Sequence, residues 1–188
     1  MKTYLTIAAL SLLSAAATPA CAQQVVPAQS EIAFTSKQMG VPVDGKFKKF
    51  DAQVAFDPKK PEAAKIAFTI DLGSVSLGVA ETEAELAKTD WFDSKKFPQA
   101  TFQSAGAKAS GGAGKYEIAG KLTIKGTSQN VVVPVTLAQS GTATTVTGAF
   151  TIKRLDFKVG DGDWKDTSMV ANDVQVKFKL ALTGVAPI

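Results

Sequence analysis

The sequence predicts an all-β protein, an eight-stranded antiparallel up-and-down barrel with one short helical insertion. About eight segments alternate apolar and polar residues with a period of two, which is typical of strands with one buried face. Short turns rich in glycine, proline, aspartate or serine join most of these segments. Closure into a barrel buries the apolar faces and protects the sheet edges. We therefore favour it over an open two-sheet sandwich, which the same alternation also satisfies.

The predicted strands follow one another along most of the chain. Each has a face of aliphatic or aromatic residues, such as Phe150 and Ile152 in the seventh strand and Val176 and Phe178 in the eighth. In chain order the strands cover residues 31–37, a segment that ends with 50–56, then 65–71, 100–104, 116–125, 130–137, 145–153 and 174–182.

A helical insertion is predicted between the third and the fourth strand. Thr82 and Glu85 have the spacing of a capping box, so residues 83–89 are expected to form about two helical turns that carry Leu86 inward. An aromatic loop, residues 91–98, follows the helix.

Residues 1–22 have the pattern of a secretory signal peptide, which leaves one domain, residues 23–188. Lys2 precedes an apolar stretch that is too short to span a bilayer, and Ala20-Cys21-Ala22 forms a small-x-small cleavage site before Gln23. The alternative is a lipoprotein acylated on Cys21, but residues 18–20 lack the aliphatic residue expected before such a cysteine.

Composition argues against most enzymes. Histidine is absent and Cys21 is the only cysteine, which excludes catalytic triads, histidine-ligated haem and nearly every zinc site. The densest carboxylate group, residues 161–166, departs from a calcium-loop pattern because Lys165 stands at a ligand position. The net charge is only +4 and the lysines are scattered. We therefore predict no enzyme activity, no metal and no nucleic-acid partner.

Two features of the interior have alternative interpretations. Gly120 and Gly148 lie in mid-strand, where they leave room in the wall of a cavity or mark bends around a solid core. Arg154, the only arginine, points to the apolar side if the preceding strand keeps its register. Its partner is then either a carboxylate such as Asp156 or the anionic head of a ligand.

Short motifs occur in a specific order along nearly all of residues 23–188. They are Ile32-x-Phe34, Ser36-Lys37-Gln38-Met39-Gly40-Val41, Gly45-x-Phe47-x-x-Phe50, Phe56-Asp57-Pro58, Trp91-Phe92-Asp93-x-x-x-Phe97-Pro98, Phe102-x-Ser104, Gly120-x-Leu122-Thr123-Ile124-x-Gly126, Phe150-x-Ile152-x-Arg154-x-Asp156-Phe157, the acidic turn with Trp164, and Val174-x-Val176. Together they resemble the YceI-like periplasmic proteins, which are described as polyisoprenoid- or lipid-binding.

The resemblance implies a lipocalin-like barrel in the periplasm that carries a long apolar ligand in its interior. That ligand would be a polyisoprenoid, an isoprenoid quinone or a fatty acyl lipid, with no other cofactor. A quinone-binding accessory to b-type cytochromes and a ligand-free structural or stress-response barrel stay open as alternatives. Many relatives carry a histidine where this sequence has Gln38, so a role that needs an imidazole is lost.

The predicted ligand contacts fall into two groups. Inward-facing residues along the strands would touch the chain, and residues near one barrel mouth, led by Arg154 and Lys37, would meet its polar end. The full set is Phe34, Lys37, Gln38, Met39, Phe68, Trp91, Phe92, Ile124, Phe150, Arg154, Trp164 and Phe178. Transient contact with a membrane and a homodimer, for example through the apolar loop 72–79, are further partner expectations.

Overall fold

A computed structural model of the protein describes residues 23–188, so the predicted signal peptide lies outside the described residues. One curled antiparallel sheet of 11 strands forms nearly the whole fold. The strands are β1 Gln24–Val25, β2 Glu31–Gln38, β3 Val41–Phe47, β4 Phe50–Ala55, β5 Lys65–Asp71, β6 Val75–Ser76, β7 Gln99–Ala109, β8 Lys115–Ile124, β9 Thr127–Ser140, β10 Ala143–Lys153 and β11 Asp173–Thr183, and the α-helix is α1 Ala80–Leu86.

Three breaks account for the difference between the 11 observed strands and the eight predicted ones. The 3-10 turn Pro27–Gln29 separates β1 from β2, Lys48-Lys49 separates β3 from β4, and the 3-10 turn Leu72–Ser74 separates β5 from β6. β1 and β2 both pair with β11, whereas β3 and β4 pair with β6 and β5. Each broken pair therefore occupies one strand position, which leaves eight positions.

The sheet returns on itself as a barrel. Its strand order runs from β4 through β5, β7, β8, β9, β10, β11, β2 and β3 to β6. β4 and β5 stand at one end of this order, and β3 and β6 stand at the other. Since β3 continues into β4 and β5 continues into β6, both ends are occupied by the same two strand positions. Backbone hydrogen bonds from Lys48 to Ser74 (3.0 Å) and from Asp71 to Lys49 (3.1 Å) carry the pairing across the break. The barrel prediction is thus confirmed.

The strand bounds are close to the predicted ones where the alternation is long. β5 has the predicted bounds, and β10 begins two residues before residue 145. β7 extends well beyond the predicted 100–104, with a β-bulge between Ser104 and Gly106. β3 forms the first part of the strand position that ends with residues 50–56, and the pattern does not predict where it begins, because Pro42 and Gly45 interrupt its alternation.

The predicted capping box is wrong. α1 begins at Ala80 rather than at residue 83, and the residue before it, Val79, makes no side-chain cap. Instead the Glu83 carboxylate accepts hydrogen bonds from the backbone N–H groups of Leu77 (2.8 Å) and Gly78 (3.0 Å). These bonds, led by that of Leu77, hold the pKa of Glu83 below its ordinary value. Glu83 therefore fixes the approach to the helix from inside its first turn.

The densest core lies at one end of the barrel, which we call the closed end. Here β8 and β10 begin and β9 and β11 end, and their inward side chains are buried against one another. They include Tyr116, Ile118, Val133, Val135, Leu137, Val146, Leu180 and Leu182.

The opposite end, which we call the mouth end, carries α1, the loop 87–98 and the 3-10 turns Arg154–Phe157 and Gly162–Lys165. In loop 72–79, Leu72 and Val75 are buried (2% and 6% exposed), whereas Val79 is 49% exposed, so Val79 is the main apolar surface that this loop offers to a dimer. None of the helices in residues 23–188 is long and apolar enough to cross a membrane.

Candidate functional site

The barrel is hollow between the closed-end core and the mouth end. A cavity of about 310 Å³ lies inside it. Phe178 faces this cavity and keeps part of its surface exposed, whereas Leu180, two residues further along the same face of β11, is only 3% exposed. Because a close-packed interior would leave no such surface, the exposure of the mid-barrel residues belongs to the cavity. The interior is therefore not a solid core.

The cavity wall is almost entirely aliphatic and aromatic. Among the lining residues within 23–188, only Glu85 and Arg154 are ionisable, and only Ser36, Gln38 and Thr82 are uncharged polar residues. Ten of the predicted contact residues lie in this wall, and their contact with a ligand stays a prediction. They are Phe34, Gln38, Phe68, Trp91, Phe92, Ile124, Phe150, Arg154, Trp164 and Phe178.

The strand pairing is continuous on one side of each glycine, with β9 at Gly120 and with β11 at Gly148. On the other side, a β-bulge between Ser104 and Gly106 lies next to the Ser104–Gly120 pair, and the pairing of β10 with β9 ends at Gly148. Each glycine lies on the inward side of its strand, and a Cβ there would overlap an aromatic ring, that of Phe102 at Gly120 and that of Phe178 at Gly148. Gly45 in β3 has the same relation to Phe34. The glycines thus receive the rings of three cavity-lining phenylalanines.

Arg154 is buried, as its register predicts, but it lies in a 3-10 turn, and within residues 23–188 it makes no ion pair with a carboxylate. Its guanidinium donates five hydrogen bonds, all to backbone carbonyls, at 2.6–3.1 Å. The acceptors are Val159, Gly160, Trp164, Val170 and Ala171.

A guanidinium has five N–H donors, so none of them is left for the head of a ligand. No ion pair with Asp156 occurs within residues 23–188. Burial lowers the pKa of Arg154, and the carboxylate of Asp161 partly opposes this effect. Arg154 therefore ties together the loops of the mouth end.

Lys37 and Met39 do not line the cavity, which corrects their predicted place in the site. Ser36 and Gln38 face inward, so the alternation of β2 turns Lys37 to the outer face. Met39 occupies the tip of the hairpin between β2 and β3, where its side chain is 70% exposed.

The mouth of the cavity lies between β2 and α1. Gln38 and Thr82 line the cavity and are also exposed to solvent, which marks where it opens. Glu85 stands beside them and makes an ion pair with Lys88 at 2.5 Å. Thr82 and Glu85 are predicted from the sequence as a capping box and not as residues of the cavity mouth. Only their position on the inner side of a short amphipathic helix could have indicated that they line the mouth.

Trp91 and Trp164 form an aromatic floor under the loops of the mouth end. Their ring centroids are 5.3 Å apart, and the Arg154 guanidinium lies 5.8 Å from the centroid of Trp91. The indole Nε1 of Trp91 is buried and has no hydrogen-bond partner among the described residues. A polar donor is thus left unpaired beside the cavity, a costly arrangement for a buried group.

The carboxylates of the acidic turn have local partners. Asp161 makes an ion pair with Lys165 (3.4 Å), and Asp166 accepts hydrogen bonds from the backbone N–H and the hydroxyl of Ser168. In residues 23–188 no group of three or more acidic, cysteine or histidine side chains could hold a metal ion.

Comparison with known proteins gives a consistent result. A family model described as the YceI-like domain matches residues 23–182. The crystal structure of Burkholderia cenocepacia BcnA has 50% sequence identity and a TM-score of 0.81, and the match covers 84% of this chain and 99% of that chain. A UPF0312 protein of Pectobacterium atrosepticum is 33% identical over 144 residues, which are 74% of each chain. A polyisoprenoid binding domain from Saccharophagus degradans shares the fold, with a TM-score of 0.70 at 17% identity over 88% of this chain and 99% of that chain.

Proposed function

Because the chain belongs to the YceI-like domain family, we propose that it is a periplasmic carrier that holds a long apolar lipid inside its barrel. The observation that carries this proposal is the hollow interior, where apolar side chains line a cavity of about 310 Å³. The name of the Saccharophagus degradans domain, polyisoprenoid binding, supports an isoprenoid as one ligand class.

Affinity for such a ligand comes from covering the apolar wall. Transfer of apolar surface out of water contributes about 25 cal/mol per Å², before the cost of immobilising the ligand. Phe34, Phe68, Phe150 and Phe178 are only partly buried and present surface that a lipid chain would cover. A ligand-free barrel would leave this surface facing water, so the hollow wall counts against that alternative.

The polar end of the ligand is expected to be uncharged. Arg154 has no free donor, and the other ionisable lining residue, Glu85, would repel an anionic head. Gln38 and Thr82 at the mouth can both donate and accept hydrogen bonds. A hydroxyl or carbonyl head fits these groups better than a phosphate or a carboxylate does.

An isoprenoid quinone is the second candidate, and the mouth favours it over an acyl lipid with a charged head. A quinone ring is neutral, flat and carries carbonyl acceptors. The cavity wall offers aromatic faces at Phe47 and Phe92 (6.2 Å between centroids), and the Gln38 amide lies at the mouth. In that case the protein would serve membrane electron transport as an accessory.

The periplasmic location rests on the pattern of residues 1–22, which predicts export. Exposed apolar residues near the mouth support transient contact with a membrane. Met39, Val41 and Met169 are 70%, 63% and 43% exposed, and the Met39 N–H donates to the Met169 carbonyl at 2.8 Å. A homodimer stays a prediction, which the mass of the protein in solution would test.

The direct experiment is mass spectrometry of organic extracts from the protein purified from its native host. We expect an isoprenoid or acyl species in stoichiometric amount, and a quinone would favour the electron-transport role. Repeated recovery of empty protein would contradict the carrier proposal.

A variant tests the cavity itself. Phe150→Trp should displace the ligand by filling the lumen while the melting temperature stays near that of the wild type. In a solid core the same change would overpack and cost about 1–3 kcal/mol. Val132→Trp, on the exposed outer face of β9, is the matched control and should leave the ligand in place.

A further inference from the structure

Three phenylalanines in different parts of the barrel wall each place their ring against a glycine of the neighbouring strand. Phe34 of β2 lies directly opposite Gly45 of β3, and Phe178 of β11 lies directly opposite Gly148 of β10. Phe102 of β7 is two residues from the partner of Gly120 in β8, which is Ser104. In every pair the phenylalanine lines the cavity.

In each pair the outer end of the ring occupies the place that a side chain on the glycine would take. A Cβ on Gly45 would overlap the Phe34 ring, and Cβ atoms on Gly120 and Gly148 would overlap the rings of Phe102 and Phe178. Each glycine has lining residues two positions away on its own strand, such as Val43 and Phe47 beside Gly45. The glycines are therefore inward-facing, and each ring lies along the wall over its neighbour instead of projecting into the lumen.

From this geometry we propose that Gly45, Gly120 and Gly148 set the width of the cavity, and that this width admits a methyl-branched isoprenoid chain. The inference rests on the proposed function, since it concerns the lumen of the same site. A straight alkyl chain is narrower than an isoprenoid chain of equal length, so a wide lumen is needed only for the branched one. Three rings drawn to the wall at separate positions provide that width.

Gly45 is the position at which the proposal can be tested with least disturbance. The atoms nearest to a Cβ there belong to the side chains of Phe34 and Leu77. At Gly120 and Gly148 a Cβ would also approach backbone carbonyls, of Gln103 at 2.6 Å and Pro134 at 2.8 Å, and the strands themselves would have to move. In Gly45→Ala the new methyl group takes the place of the outer end of the Phe34 ring, and we expect the ring to turn into the lumen.

The experiment compares farnesol with dodecanol, which share a main-chain length; farnesol has three methyl branches and three double bonds, and its saturated form, 3,7,11-trimethyldodecanol, is measured beside it so that an effect of the branches is separated from one of the double bonds. Binding to the purified protein is measured by calorimetry for the wild type, Gly45→Ala and the control Gly73→Ala. Gly73 is exposed, has no positive φ, and a Cβ there would be near only the Asp71 side chain, at 3.2 Å. We expect Gly45→Ala to lose about tenfold or more in farnesol affinity and less in dodecanol affinity, and Gly73→Ala to keep both.

A second substitution identifies the cause. Phe34→Leu in the Gly45→Ala background removes the displaced ring and should restore farnesol binding to within about threefold of the wild type. Equal losses for both alcohols in folded Gly45→Ala, or no recovery in the double variant, would overturn the proposal.

If Gly45→Ala does not fold, Phe34→Leu alone decides the question. A ring that lies against the wall contributes little to the lumen, so its removal should change the farnesol-to-dodecanol affinity ratio by less than about twofold. A larger change would show that the ring projects into the lumen and would overturn the proposal. Failure of the wild type to bind either alcohol is a different result, because it contradicts the carrier function itself.

Discussion

The two ends of the barrel are held together by different interactions. At the closed end, Leu137, Val146, Leu180 and Leu182 are buried against one another, and the stabilisation is apolar and non-directional. At the mouth end, the loops meet on the guanidinium of Arg154, and the Lys125 ammonium donates to the carbonyl of Lys158 at 2.7 Å. The closed end thus needs only the right pattern of apolar residues, whereas the mouth end depends on particular donors meeting particular carbonyls.

This difference suits a carrier. The closed end, apolar apart from groups such as Tyr116 and Thr144, gives a lipid chain a mostly uniform surface, and we expect a mouth built from short turns to open without unfolding of the strands. The largest test of this contrast is Arg154→Met, which keeps much of the apolar stem but removes all five donors. A buried carbonyl without a partner costs about 1–3 kcal/mol, and hydrogen bonds to water will recover part of that cost. We therefore expect the free energy of unfolding to fall by about 4 kcal/mol or more.

The measurement for Arg154→Met is urea unfolding at a fixed temperature. Arg154→Lys is the control, because an ammonium keeps the charge but has only three donors, and we expect an intermediate loss. Hydrogen exchange should show the loss of protection in residues 154–171 first. A variant as stable as the wild type would mean that the carbonyls have other partners, and a loss of affinity for anionic ligands alone would restore the headgroup role.

A slightly smaller effect is expected at the closed end from Leu180→Ala. Leu180 is 3% exposed and lies in the closed-end core, so the change should cost about 3 kcal/mol, within the usual range for a buried leucine. Unlike Arg154→Met, it should leave exchange at the mouth end unchanged until global unfolding. Local opening of the mouth in Leu180→Ala would show that the two ends are not independent.

The contrast also explains how much of the structure could be predicted from the sequence. The strands at residues 65–71 and 145–153 alternate over many residues, and their positions in the structure follow closely. The breaks at Lys48-Lys49 and residues 72–74 were not predictable, because the alternation carries no signal for a change in strand direction. Lys37 and Gln38 were both predicted as ligand contacts because they are neighbours in the sequence. The alternation of β2 already indicates that their side chains point to opposite faces of the strand.

The hydrogen-bond partners of Arg154 could not be predicted from the sequence. Its burial follows from the register of β10, but its acceptors are backbone carbonyls spread over residues 159–171, and every residue type supplies a carbonyl. No sequence pattern distinguishes those that converge on the guanidinium. Gly160 was the only local sign, since its φ of +74° and its contact with the Arg154 guanidinium both require a glycine.

A more modest effect is expected from acid at the approach to α1. The folded state lowers the pKa of Glu83, so the stabilisation is present above the unfolded-state pKa of this carboxyl and is lost as the pH falls through the folded-state value. Hydrogen exchange of the Leu77 and Gly78 amides should therefore gain rate relative to the closed end in acid. Glu83→Gln should remove this pH dependence, and an unchanged profile in that variant would assign the effect to another group.

The smallest effect on stability, but a specific one on membranes, is expected from the exposed rim at the hairpin between β2 and β3. Met39 has a φ of 50°, a conformation that favours glycine or asparagine, and it is followed by Gly40 at 82°. A hairpin tip selected only for its turn would carry asparagine there, so an exposed methionine with Val41 beside it suggests contact with an apolar surface.

Met39→Asn combined with Val41→Thr should leave the melting temperature unchanged or slightly raised, because the turn gains a residue suited to it. Flotation with phosphatidylcholine vesicles should show weaker association than for the wild type, and transfer of a bound lipid to those vesicles should slow. Val132→Thr, on the outer face of β9 and also exposed, is the matched control and should alter neither. Equal vesicle association in all three proteins would remove the hairpin from the membrane contact and leave the mouth to exchange its ligand through water.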